Sequence, residues 1–288
     1  MYAGPADLVR PTSWADAVRA LQDGGDAAKA IAGGQSLIPM MGLRLATPSV
    51  LIDLSGAAGP GISVEGDRLV LSALTRHADL ERSAEVAAHC PILAEAARLI
   101  GNIRVRHRGT IGGSLAHADP VAELPCVAVA LGATVRTTGP DGGRRIPAAR
   151  FFDTYFTTAL GEAELVTAVD IPILPPRTGW AFVELVRRAG DFAIVEVAAL
   201  IDLDASGRCA SVRLVAGGVG ERPVELTEAQ AALVGGVPDE RAATEAGRAA
   251  SASVEPSDSV HATAAYRREM LGVIVRRAIL AAVARAGT

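Results

Sequence analysis

Lysine is almost missing from this sequence: Lys29 is the only one among 288 residues. A Walker-type phosphate loop needs its lysine directly after a glycine, and Lys29 follows Ala28, so that class is excluded. Cysteine is also scarce. Cys90, Cys126 and Cys209 are far apart and show no CxxC spacing, so this chain cannot by itself hold an ordinary four-cysteine iron–sulfur cluster. Three scattered cysteines suit a reducing compartment, and the expected location is the cytoplasm. The five histidines (His77, His89, His107, His117, His261) form no HExxH or other close metal pairing. No GxGxxG follows a strand, which argues against a Rossmann dinucleotide domain. Long apolar runs are absent too: no stretch of about 18 apolar residues occurs, so no membrane-spanning helix is expected. Met1 to Arg10, with Pro5 and Asp7, lacks the basic start and apolar core of a signal peptide. A net charge of −4 leaves no basic footprint for nucleic acid.

Half of the residues are hydrophobic and only 21% are charged, the balance of a globular protein with two or three compact units. With these sites excluded, any chemistry is expected from a bound organic cofactor. Thr12 and Ser13 can cap a helix from Trp14 to about Asp23, and Ala27–Ala32 and Val50–Leu54 read as strands around it. The glycine-rich stretch Gly56–Gly61 marks a boundary. Ile62–Val64 and Leu69–Leu71 then pair as a hairpin, followed by helices over Ala78–Ala88 and Pro91–Ile100. Ile103–Arg108 reads as a strand, Leu124–Leu131 as a buried helix, and Ala133–Thr137 and Leu165–Ile171 as strands. Prolines 172, 175 and 176 mark a second boundary. The last unit reads as three strands (Trp180–Arg187, Ile194–Leu203, Cys209–Val215) and then three helices (Thr227–Val234, Asp239–Ala250, Thr263–Ala286). The expected units are therefore residues 1–60, 61–176 and 177–288, and the fold class is α+β.

Two glycine turns stand out, Ala32-Gly33-Gly34-Gln35-Ser36 and Thr110-Ile111-Gly112-Gly113-Ser114. Glycine lets backbone approach a ligand closely, and successive N–H groups in such turns converge on an anion such as a pyrophosphate. Ser36, Thr110 and Ser114 add hydroxyls. The plainer alternative is two tight turns chosen for packing.

Extended to Leu37-Ile38-Pro39, Met41 and Arg44 on one side, and to Leu115-Ala116-His117-Ala118-Asp119-Pro120 on the other, these turns resemble paired FAD signatures. The family is that of the medium subunits of molybdenum hydroxylases of the carbon monoxide dehydrogenase and xanthine dehydrogenase type. Gly190-Asp191-Phe192-Ala193 and Tyr266-Arg267-Arg268 extend the resemblance over the whole chain. It implies a two-subdomain FAD-binding fold of the vanillyl-alcohol oxidase (PCMH) type, followed by a C-terminal α+β domain with a three-stranded sheet and helices. It also implies cofactor contacts at Ala30, Ile31, Ala32, Gly33, Gly34, Gln35, Ser36 and Leu37, and at Thr110, Ile111, Gly112, Gly113 and Ser114. Further contacts are implied at Ile100, His117, Glu123 and the backbone near Val166. Val183 and Glu184 stand where several relatives place a lysine beside the flavin.

Each residue also has a local explanation. His117 is a cofactor ligand or a satisfied loop histidine, and Glu123 meets a ribose hydroxyl or water. Asp119-Pro120 reads as a helix cap with proline at the first helical position. Arg104, Arg106 and Arg108 would share one face of a strand, as a solvated row or as a contact for a partner or phosphate. Cys126 reads as core.

The resemblance implies an electron-transfer subunit that passes electrons through FAD to an external acceptor. The [2Fe–2S] clusters would lie on a small subunit and the molybdenum cofactor on a large one, assembled as a dimer of heterotrimers. The alternative is a stand-alone flavin reductase or oxidase on the same fold, similar to UDP-N-acetylenolpyruvoylglucosamine reductase.

Overall fold

The computed structural model describes residues 4–59 and 61–287. Residues 1–3, which belong to the stretch read as lacking a signal, and Pro60, in the first boundary, lie outside them. Among the described residues the chain runs through three larger sheets in sequence order and one two-stranded sheet. Strand β1 (Asp7–Val9) leads into helix α1 (Trp14–Gly24), where the Ser13 hydroxyl accepts from Asp16 N–H. Strands β2 (Ala28–Ile31) and β3 (Val50–Asp53), separated by the short helix α2 (Leu37–Gly42), complete a parallel sheet of order β1-β3-β2. Ala17, Val18 and Ile52 form its small core.

The hairpin β4 (Ile62–Glu65) and β5 (Arg68–Ser72) forms as its sequence pattern predicts. The expected single helix over 78–88 is instead two, α3 (His77–Arg82) and α4 (Ala84–His89). Ser83 breaks the run because its hydroxyl caps the second helix through Val86 N–H. Helix α5 (Pro91–Leu99) carries its proline in the first turn.

Ile103–Arg108 is not a strand: Ile103–Arg106 is helix α6, capped by the Asn102 side chain, which accepts from Arg104 N–H at 2.9 Å and Val105 N–H at 3.3 Å. The alternation of arginine with apolar residues suggested period two, but the asparagine cap starts a helical turn. The three arginines therefore share no strand face. Arg106 turns inward to Glu81 (2.9 Å) and the Ile100 carbonyl (3.1 Å), whereas Arg104 and Arg108 are exposed.

The second glycine motif is itself the first turn of helix α7 (Ile111–His117), and helix α8 (Glu123–Ala130) follows. Asp119-Pro120 does not cap α8, whose N-cap is Ala122. Asp119 instead closes a turn by accepting from Val121 N–H at 3.1 Å. Strands β6 (Thr134–Thr138) and β7 (Arg145–Pro147), the small pair β8 (Phe152–Thr154) and β9 (Thr157–Thr158), and β10 (Leu165–Pro172) come next. The second sheet has the order β4-β5-β10-β6-β7 and is antiparallel. Helices α5, α7 and α8 contribute Ile92, Leu93, Leu115 and Val127 to its large core.

The C-terminal sheet has four strands where three are expected: β11 (Gly179–Leu185), β12 (Val195–Leu203), β13 (Cys209–Gly217) and the two-residue β14 (Val224–Glu225). Two residues at an edge carry no periodic signal, so β14 escapes a reading by pattern. Helices α9 (Thr227–Ala231), α10 (Glu240–Ala252) and α11 (Ala264–Arg285) follow; α10 and α11 join the core on one face of the sheet, with Ala246, Leu271, Val275 and Ile279. The other face meets α8, where Ala198, Leu200 and Val215 join the large core. Strand β12 is accordingly buried on both sides.

Candidate functional site

Strand β2 delivers the first glycine turn, and the second turn presses against it backbone to backbone. A Cβ at Gly33 would overlap the Arg108 carbonyl oxygen and stand 2.7 Å from its carbon and 2.8 Å from Gly109 Cα. Glycine is required there by the neighbouring chain. Gly34 is in the left-handed region at φ +71°, which reverses the backbone into α2. Gly113 closes the same seam: its missing Cβ would lie 2.8 Å from Thr110 Oγ1 and 3.8 Å from Ala32 Cβ.

The two turns differ in what their amides do. Among the described residues, the N–H groups of Gly33, Gly34, Gln35 and Ser36 donate to no protein acceptor, while Gln35 Nε2 donates back to the Gly33 carbonyl at 3.1 Å. Free amides on a tight reversal form a nest for an anion. In the second turn the amides are engaged. Ile111 N–H donates to the Thr75 carbonyl (3.0 Å), Gly112 N–H to Ala73 (2.9 Å), and Ser114 N–H to Thr110 (2.9 Å). Gly113 N–H donates to Thr110 Oγ1 at 3.1 Å. The amides of Ile111 and Gly112 thus anchor α7 to the β5–α3 loop, and those of Gly113 and Ser114 close the first turn of α7 on Thr110, so on this side the hydroxyls are the groups left for a diphosphate. Thr110, buried, retains its hydroxyl proton for donation, and Ser114 is half-buried. Gly112 is a packing residue, since a Cβ there would sit 2.5 Å from Ala73 Cβ.

The remaining expected contacts spread outward from this seam. Ala30, Ile31, Ala32 and Leu37 are half-buried around the first turn. Val166 is buried on β10, next to Thr167, whose carbonyl accepts from Ala73 N–H. Ile100 is buried behind the second turn, where its carbonyl accepts from Arg106. His117 ends α7 with its ring 5.1 Å from that of Phe156, and burial holds its pKa below the usual value.

Glu123 opens α8 half-buried, and burial pushes its carboxyl up to about 8, helped by the Glu184 and Asp119 carboxylates. It therefore does not simply face water.

Sequence reasoning missed the burial of His77 and the pairing of Glu184 with Glu196. His77, buried beneath the second turn, donates its backbone N–H to the Gly109 carbonyl at 3.1 Å; burial lowers its imidazole to about 4, so the ring is neutral at pH 7. Glu184 and Glu196 face each other across β11 and β12. The available signal was Glu196, a carboxylate inside the apolar run Ala193–Ile201.

Residues 4–174 match the model of the FAD binding domain in molybdopterin dehydrogenase, and residues 180–282 match the carbon monoxide dehydrogenase flavoprotein C-terminal domain. The chain is 39% identical to the 6-hydroxypseudooxynicotine dehydrogenase complex subunit alpha of Paenarthrobacter nicotinovorans, over 97% of this chain and 95% of that one. It is 38% identical to the carbon monoxide dehydrogenase medium chain of Afipia carboxidovorans, over 99% of both. Among solved structures, a chain of the carbon monoxide dehydrogenase from Hydrogenophaga pseudoflava superposes with a TM-score of 0.97 at 38% identity, covering 100% of both chains.

Proposed function

This chain belongs to the FAD-binding medium subunits of the molybdenum hydroxylases, and from that premise we propose that it holds FAD across the two glycine turns. The observation that carries this reading is the row of free amides at Gly33–Ser36, on a turn pressed against the Arg108–Gly109 backbone that leads into Thr110. A chain with one lysine meets a diphosphate there with backbone dipoles. FAD, when bound, supplies the ability to accept electrons singly and deliver them as a pair.

This chain's own residues do the holding. Gly33, Gly34, Gln35 and Ser36 bind through N–H, Thr110 and Ser114 add hydroxyls, Gly33 and Gly113 let the two walls close, and Gly112 seats the second wall on Ala73. Ala30, Ile31, Ala32 and Leu37 shield the first turn, and Ile111 and Ile100 back the second. His117, Glu123 and the backbone at Val166 lie further along the site.

The three units 1–60, 61–176 and 177–288 serve as two walls and a backing domain. Electrons arrive from [2Fe–2S] clusters on a small subunit, fed by a large molybdenum-cofactor subunit, in a dimer of heterotrimers, and leave to an external acceptor. Three buried, unpaired cysteines support a cytoplasmic location, and among the described residues no helix is long and apolar enough to cross a membrane. The stand-alone reductase reading is not favoured, because the relatives are named as subunits and medium chains. The test is acid precipitation of the yellow protein. FAD should be released into the supernatant at one per chain; a colourless chain that takes up no FAD refutes the assignment.

A further inference from the structure

Glu196 lies on β12 directly opposite Glu184 on β11 and Gly217 on β13. Directly opposed side chains in antiparallel strands stand about 4.5–5.5 Å apart, and like charges there repel. By the two-residue period, Glu184 and Glu196 share a face with Phe182, Ala198 and Leu200, the face that meets α8. Gly217 makes room for the carboxyl: a Cβ at that position would overlap Glu196 Oε1 and stand 2.8 Å from its Cγ. The third carboxyl comes from the other half of the molecule. Glu123 opens α8, whose Cys126 Sγ reaches the Val215 carbonyl at 3.3 Å, and Gly218 N–H donates to the Pro120 carbonyl at 2.9 Å.

Glu196 is fully buried, and neither of its oxygens has a hydrogen-bond partner among the described residues. Glu184 Oε2 is buried and unpartnered as well. The other titratable groups around them are Asp119, in the turn before α8, His117 beside it, and Cys126. The buried cation at this end of the sheet is Arg267 of α11, while Arg187 and Arg188, just past β11, are exposed. Its guanidinium goes to the Ile194 carbonyl, the Gly218 carbonyl (3.0 Å) and Ser259 Oγ (2.7 Å), not to a carboxylate. Burial and the neighbouring carboxylates push Glu196 well up, and burial raises Glu184 to about 7. Among the described residues no group of such side chains is arranged to hold a metal ion. Valine or alanine, as elsewhere on β12, would pack this face without the cost of burying a carboxyl.

We propose that Glu196, Glu184 and Glu123 form a shared-proton carboxyl cluster, which takes up a proton when the adjoining cofactor site gains negative charge and releases it when that charge leaves. The proposal rests on the assignment of FAD to the glycine turns. Helix α7 spans the distance: its first turn carries Thr110–Gly113, and after seven residues, about 10 Å, it delivers His117 and Asp119 to the cluster. Were the added charge on the cofactor about 10 Å from a carboxyl, it would change that carboxyl's proton affinity roughly tenfold at an effective dielectric of about 20. The balance is simple. Electrons supplied by the iron–sulfur partner stay on the cofactor, and one solvent proton converts one carboxylate of the cluster to a carboxyl. Reoxidation by the acceptor reverses both.

The experiment uses the full FAD-loaded chain, with Glu184→Gln and Glu196→Gln beside the wild type, after FAD content and circular dichroism have been measured. Midpoint potentials between about pH 6 and 9 should show the wild type taking up more protons per electron pair than either variant. Reduced-minus-oxidised infrared spectra of the wild type should gain a protonated-carboxyl band that both variants lack. The infrared measurement on the wild type needs no variant to fold: no carboxyl gain on reduction overturns the proposal. So does an unchanged proton count in either FAD-loaded variant. Failure of the wild type to bind FAD would instead overturn the cofactor assignment beneath it.

Discussion

Replacing Gly33 with alanine tests the contact on which the proposed FAD site depends. The added methyl would overlap the Arg108 carbonyl oxygen, so the two turns must part by about 1 Å to reach ordinary van der Waals contact. Overpacking of this kind costs about 1–3 kcal/mol if the chain absorbs it as strain. If the first turn moves instead, the Gly33 and Gly34 amides leave the phosphate oxygens. Two charge-assisted hydrogen bonds at about 1.5–3 kcal/mol each correspond to roughly two to four orders of magnitude in Kd. The assay is titration of the FAD-free chain with FAD, followed by flavin fluorescence, with circular dichroism and thermal melting on the same samples. Gly59→Ala is the control, because a Cβ there meets nothing within 4 Å. The expected result is a folded Gly33→Ala chain with a greatly raised Kd, while Gly59→Ala binds normally. Gly33→Ala with wild-type affinity and an unchanged Tm would refute the reasoning.

Three further outcomes follow from the same geometry. Thr110→Val removes the cap on Gly113 N–H and should lower stability by about 1 kcal/mol, read as a lower midpoint in urea unfolding. Asp170, fully buried on β10, lies between the part-exposed Arg145 and Arg136, whose Nε is 2.7 Å away but off the hydrogen-bond direction; Asp170→Ala should destabilise by about 1.5–3 kcal/mol, checked by the same unfolding curves. The carboxyls of Glu184 and Glu123 titrate at about 7 and about 8 in the folded chain, against 4.5 when unfolded, so the folded state holds more protons between these values. The FAD-free chain should therefore lose stability as pH rises through that window; Tm measured across it should fall, and Glu184→Gln should flatten the fall.

Much of this protein is legible in its sequence because the signals are local. Ser13 before Trp14-Ala17-Val18-Leu21 specifies α1 and its buried face, and Glu65-Gly66-Asp67 between apolar triplets specifies the β4–β5 hairpin. The two glycine motifs are visible as residue strings, and their resemblance to FAD signatures carries the family assignment. Local signals also mislead. Ile103–Arg106 alternates like a strand, yet the Asn102 side chain commits it to a helix. What each turn does lies beyond any string. The amides of Ile111 and Gly112 are spoken for by carbonyls of Thr75 and Ala73, more than thirty residues earlier, whereas those of Gly33–Ser36 meet no such neighbour. Gly33 looks like a residue that makes room for a ligand, but the chain it admits is Arg108–Gly109. The carboxyl cluster depends on strand register: shifting β12 by one residue would turn Glu196 to the opposite face of the sheet, away from Glu184 and from α8. Composition and spacing determine which elements form, because capping and periodicity act over a few residues; only tertiary packing decides which polar groups are left unpaired, because their partners come from distant parts of the chain.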